Sequence, residues 1–123
     1  MRKRLLIILV IFLSYTVHAQ NSVIEDKIID TIFKLKEVKQ RASYMKKVTN
    51  DKRHLSIVIN GEPTKEQPYY WIKVWEDNGS SYVTHFNFIV YPNPFEIKYF
   101  DAVNDTEISL KEWRRQMKNE KSN

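Results

Sequence analysis

The 123-residue chain has no cysteine, two glycines and three histidines, and each shortage removes a class of chemistry. Without cysteine there are no disulfides, so stability must come from packing. A zinc site would need carboxylates together with both His54 and His85, and nothing in the spacing brings those two together; no metal and no cofactor is implied. Gly61 and Gly79 are the only glycines, so there is no glycine-rich phosphate loop. No serine sits in a nucleophile elbow. Glu76, Glu96 and Asp101 lie in or beside strand-like runs, but no spacing makes a carboxylate pair of them, and a Ser-His-Asp set drawn from His85 and Asp101 has no support from spacing either. Function has to be argued from a site. The expectation is a chain with no catalytic residues. The alternative, a small hydrolase with His85 and Asp101 as acid and base, requires one pocket that holds both side chains, and the parity of the strands sets them on opposite faces.

Long apolar runs are also scarce. The one present, Leu5 to Leu13, follows Arg2-Lys3-Arg4 and precedes Val17-His18-Ala19. This is the order of an export signal: charged start, apolar middle, small-x-small cleavage site. Residues 1–19 are therefore expected to be a cleaved signal peptide, with Gln20 first in the mature chain and 20–123 forming one domain. The run is far shorter than the roughly 20 residues needed to span a bilayer, so no stable membrane insertion is expected after cleavage. With no cysteine at the cleavage point for a lipid anchor, the product is expected to be soluble, periplasmic or secreted.

Charge narrows the partners. The chain has 20 basic and 15 acidic residues; removal of Arg2, Lys3 and Arg4 leaves 17 against 15, a net +2. Lys46-Lys47, Lys52-Arg53 and Arg114-Arg115 are short and interrupted. A nucleic-acid partner is not expected.

What the chain does have is 16 aromatic residues, concentrated in the second half. Ser22 to Lys39 carries Ile24, Ile28, Ile32 and Leu35 at helical spacing, with Ser22 and Glu25 in a capping-box pattern. Gln40 to Arg53 reads as a loosening helix end and a loop through Thr49-Asn50-Asp51. His54 to Asn60 reads as a first strand, closed by Gly61-Glu62-Pro63. Pro68 to Asp101 then gives three β-rich runs separated by Asp77-Asn78-Gly79 and Pro92-Asn93-Pro94, an antiparallel meander. Asn104 to Glu107 reads as a turn. Ser109 and Glu112 open a short helix bearing Leu110, Trp113 and Met117. The expected fold is α+β: an N-terminal helix on a four-strand meander, with a short C-terminal helix.

A three-residue loop at Asp77-Asn78-Gly79 places Glu76 opposite Ser80. Tyr70, Ile72 and Val74 then share an inner face with Tyr82, Thr84, Phe86 and Phe88, continued by Phe95, Ile97 and Tyr99. The outer face carries Tyr69, Trp71, Lys73 and Trp75 beside Val83, His85, Asn87 and Ile89, with Trp71 facing His85, and is continued by Glu96, Lys98 and Phe100. A water-facing strand should show polar residues there. Three large aromatics instead mark a recognition surface, unless the C-terminal helix folds back over it or a homodimer seals two such faces. The candidate binding residues are Tyr69, Trp71, Lys73, Trp75 and His85, and the candidate partner is a protein or envelope component, or a glycan stacked on the rings.

The order of helix and meander, with Tyr69-Tyr-Trp-Ile-Lys-Val-Trp-Glu-Asp-Asn-Gly79 and Glu96-Ile-Lys-Tyr-Phe-Asp101, resembles the cystatin-like and PepSY-like group of helix-on-sheet domains of small exported bacterial proteins. The Gln-x-Val-x-Gly hairpin of cystatin inhibitors is missing, so the resemblance does not imply cysteine-protease inhibition. It does imply an inhibitory or regulatory binding module.

Overall fold

The computed structural model describes residues 20–122. The expected signal segment lies outside these residues. Helix α1 spans residues 20–34, and α2 is Lys36–Val48. Five strands follow: β1 Leu55–Gly61, β2 Tyr70–Asp77, β3 Tyr82–Pro92, β4 Phe95–Asp101 and β5 Thr106–Ser109. Helix α3, Leu110–Glu120, closes the chain. All strands lie in one antiparallel sheet in the order β1-β2-β3-β4-β5. The fold is α+β, with one strand more than expected. Among the described residues, no helix is long and apolar enough to cross a membrane.

The helical period of Ile28 and Ile32 is used as it reads: both are fully buried. The ends of the expected helix are not as it reads. The chain is already helical at residue 20, so Ser22 lies inside α1 rather than capping it. At Leu35 the backbone turns out of the helix (ψ 134°) and α2 starts at once. The kink brings Val38 into the same core, with Leu35 packed against it, and Met45 is buried further along α2. The stretch from Gln40 to Val48, expected to fray, is therefore helix. The turn beyond it is where it was expected, with Asn50 and Asp51 both at positive φ.

One face of the sheet carries the core. Tyr70, Ile72 and Val74 of β2 and Phe86, Phe88 and Val90 of β3 pack against Ile28, Ile32, Val38 and Trp113. Trp113 of α3 lies flat on Tyr99 (centroids 4.4 Å apart, planes 5° apart) and edge-on to Phe86 and Phe88. Leu110 and Met117 join the same cluster. The C-terminal helix thus belongs to the inner face, and the reading in which it covers the outer aromatics is excluded. Arg114 ties it to α2 through a forked pair with Glu37, at 2.6 and 3.1 Å.

Ser109 caps α3 by accepting a hydrogen bond from the Glu112 N–H at 3.1 Å. The Glu112 carboxylate does not return the bond; it is taken by Arg115 and Gln116. Ser109→Ala is expected to lower stability by about 1 kcal/mol, read as a shift in urea midpoint, with Ser109→Asp restoring it.

Candidate binding face

The β2–β3 hairpin decides which side chains share the outer face. Its loop has four residues, not the expected three, so Glu76 pairs with Val83 rather than Ser80: Asp77 pairs with Tyr82, and the Asn78 carboxamide oxygen accepts from the N–H groups of Ser80 and Ser81. Gly79 does take a positive φ, 92°, as a glycine there should. The pairing then slips between Val74 and Trp75, where His85 is an extra residue on β3. A bulge of this kind shifts the alternation of side chains along its strand. Beyond it Trp71 pairs with Ile89 and Lys73 with Asn87.

Three expectations are corrected by the four-residue loop and the bulge together. Trp71 does not face His85. Tyr82 and Thr84 lie on the outer face, across from Asp77 and Trp75, not on the inner one. His85 turns to the helix side, so it does not belong with Tyr69, Trp71, Lys73 and Trp75.

Those four do share the outer face, with Asn87, Ile89, Lys98 and Phe100 as expected and with Tyr82, which the expected register put on the inner face. Their rings are organised in pairs. Trp75 stacks on Tyr82 (4.5 Å, 19°), Trp71 meets Phe100 edge-on (5.3 Å, 60°), and Tyr69 meets Tyr91 edge-on (5.5 Å, 66°). The Trp71 indole N–H makes a long 3.5 Å contact with the Asn87 carboxamide oxygen. Trp71, Lys73 and Trp75 are half-buried, while Tyr82 is 65% exposed and is the open end of the row. Ile89, between Trp71 and Lys98 in the ladder, is buried. The face therefore carries a thin layer of its own side chains. Among the described residues no helix lies over it, since all three pack on the other side.

At the β4–β5 end of the same face, Glu107 accepts from the Tyr91 hydroxyl at 2.9 and 3.0 Å and from Lys98 Nζ at 2.9 Å. Burial alone pushes the Glu107 carboxyl up; the hydrogen bonds from Lys98 and Tyr91 outweigh it and hold it below the ordinary carboxylate value. Burial and the bond to Glu107 raise the Tyr91 phenol, and the bond to Glu107 raises Lys98. The surface is thus aromatic at the hairpin end and aromatic with fixed charges at the other.

His85 has a different setting. Its Nε2 lies 2.9 Å from Oε1 of Glu76, whose side chain is 3% exposed; that of His85 is 10% exposed. Arg53 donates to the second oxygen of Glu76 from Nε (2.9 Å) and Nη2 (2.7 Å). Burial pushes the Glu76 carboxyl up, but the hydrogen bonds from His85 and Arg53 and their charge prevail, and it sits below the ordinary value. Sequence reasoning missed this cluster because it depends on the bulge. An acid in line with the buried positions Tyr70, Ile72 and Val74 was the one available sign.

His85 and Asp101 both line an open recess of about 420 Å³ beside Trp113 and Glu120. The Asp101 carboxylate is occupied by its own turn: it accepts from the N–H groups of Val103 and Asn104 and from the Asn104 side chain. Each of the two is thus held by a structural partner. Among the described residues, no group of three His, Asp or Glu side chains is placed to hold a metal ion. No protein-family profile, curated protein or solved structure matches the chain.

Proposed function

We propose that the chain is a non-enzymatic recognition module, inhibitory or regulatory in kind, which leaves the cytoplasm and engages a protein or envelope component through its outer sheet face. The observation that carries this reading is the one-sided packing: three helices crowd the inner face, while the paired rings of Tyr69, Trp71, Trp75, Tyr82, Tyr91 and Phe100 are left without a covering element among the described residues. Tryptophan and tyrosine are the commonest anchors of protein interfaces, because they bury large area at small entropic cost.

A protein partner fits this face better than a sugar does. A stacking platform needs open ring faces, and here Tyr82 occupies a face of Trp75 while Phe100 engages Trp71. A glycan ligand remains the second reading; a titration of tryptophan fluorescence against a glycan panel separates the two.

The test is capture from an envelope extract of the source cell by the immobilised chain starting at Gln20, compared with the Trp75→Ala/Tyr82→Ala variant. The variant should melt cooperatively, because Tyr82 is mostly exposed. Loss of two anchors is expected to weaken capture at least about tenfold. Equal capture by the two proteins, or none by either, removes the outer face from the reading.

A further inference from the structure

We propose that the recess between the start of α2 and the end of α3 binds a pyrophosphate or two neighbouring phosphate groups. It is a second site, separate from the outer face of the sheet. Its volume is about 570 Å³, and its walls carry Lys36, Glu37, Gln40, Arg114, Lys118 and Lys121. Helical spacing assembles it. Lys36 and Gln40 stand one turn apart on α2, and Arg114, Lys118 and Lys121 follow at i, i+4 and i+7 along α3 and its cap. That stripe flanks Leu110, Trp113 and Met117, which dock on the core. The sequence shows only short basic runs because the bases come from two helices.

Charge is concentrated here. The walls hold four bases and one acid, a net +3, while the whole chain from Gln20 has 17 bases and 15 acids, a net +2. The one acid is taken: the Glu37 carboxylate accepts from Arg114 at 2.6 and 3.1 Å, and its side chain is 12% exposed. Lys36, Lys118 and Lys121 are exposed, and among the described residues none of them is in an ion pair. Ordinary helix electrostatics accounts for part of this. Lys118 and Lys121 lie at the C-terminus of α3, where a cation is favoured, but Lys36 is the first residue of α2, where a cation is disfavoured. Arg114 and Lys118, four residues apart, also repel along α3.

The charge count chooses the occupant. A sphere of this volume is roughly 10 Å across, close to the screening length in physiological salt, so the three lysine ammonium groups act together on an ion inside. A carboxylate brings a single negative charge and one phosphate about 1.5 to 2; two phosphates bring about twice that and match three lysines. The fork of Arg114 is already engaged by Glu37. Lysines, which meet phosphate oxygens as point charges, therefore make the site.

The test is calorimetric titration of the chain from Gln20, which carries all five strands and three helices, with pyrophosphate at constant ionic strength. Saturable binding is expected, at least about tenfold tighter than that of inorganic phosphate. Lys36→Gln and Lys118→Gln/Lys121→Gln are each expected to weaken it about threefold to tenfold with an unchanged melting temperature, since all three side chains are exposed. Lys46→Gln/Lys47→Gln, at the other end of α2, removes as much charge as the α3 pair and should leave binding as it was. Trp75→Ala/Tyr82→Ala should leave it unchanged too, so the result is independent of the outer face. Phosphatidylcholine vesicles with and without cardiolipin, a lipid with two linked phosphates, separate the sources. Pyrophosphate binding together with cardiolipin-dependent co-sedimentation assigns a lipid headgroup; pyrophosphate binding alone assigns a soluble ligand. No saturable pyrophosphate binding below about 1 mM overturns the proposal. So does an equal loss in the Lys46/Lys47 variant, which would reduce the effect to net charge.

Discussion

Trp113→Ala is expected to cost about 3–5 kcal/mol, the range for deleting a large buried aromatic. Trp113 fills the space between three inner-face rings, lying flat on Tyr99 and edge-on to Phe86 and Phe88. It is the one buried side chain of α3. An isolated helix of eleven residues has little stability in water, so α3 is helical because Trp113, Leu110 and Met117 dock. Small domains have only about 5–15 kcal/mol in total. Urea unfolding should therefore show a large drop in midpoint, and circular dichroism should show loss of helix before the main transition. Trp75→Ala provides the contrast. Its ring is half-buried and stacked on an exposed tyrosine, so its loss should cost about 1 kcal/mol. Equal costs at the two tryptophans would make the outer face a second structural layer and take away the main support for recognition there.

That contrast also marks where the sequence was legible. The spacing of Leu110, Trp113 and Met117 showed which side of α3 is apolar, and Ser109 showed where the helix starts. Neither could show which face of the sheet α3 covers, because both faces carry aromatics. The inner pattern of Tyr70, Ile72, Val74, Phe86 and Phe88 was readable from alternation alone, as was the continuation through Ile97 and Tyr99. Alternation assumes an unbroken ladder, however. A loop of four residues where three were expected, followed by one extra residue at His85, reversed the expected sides of Tyr82, Thr84 and His85, and no glycine or proline announces the bulge. The break at Leu35 is equally silent: no residue from Phe33 to Glu37 disfavours helix, and the turn answers to core packing of Leu35 and Val38. Strand β5 was not read, its first two residues being taken into a turn and Ser109 into the helix start, because its four residues hold one apolar side chain, Ile108, and it exists by pairing with β4. Tyr69, Trp71, Lys73 and Trp75 were legible as one row. Phe100 was legible on the same face by alternation along its strand, but Tyr82, Tyr91 and Glu107 were not read there, since each depends on register across a turn.

Glu76 is the most consequential residue hidden in this way, and its removal defines the second large effect. Glu76→Gln is expected to cost about 2–3 kcal/mol at pH 7, less than the 3–5 kcal/mol typical when one member of a fully buried ion pair is removed. The discount follows from Arg53, which keeps more than a third of its side chain in water and so is not stranded without a counter-charge. The sign of the pH dependence follows from the lowered carboxyl. A group held below its ordinary value of 4.5 in the folded state stabilises the fold above that value. The contribution fades as pH falls through the folded value, where protonation removes the attraction of Arg53 and His85. Wild-type stability should therefore decline on acidification below about pH 4.5, and the decline should be shallower in Glu76→Gln. Glu37 and Glu107 are lowered too, but both proteins retain them, so the difference between the two isolates Glu76. Urea midpoints at pH 7, 5 and 3 check this. A gap between wild type and variant that stays constant down to pH 3 would mean that the charge of Glu76 is not what holds Arg53, β2 and the His85 bulge together. The substitution would then be acting through shape alone.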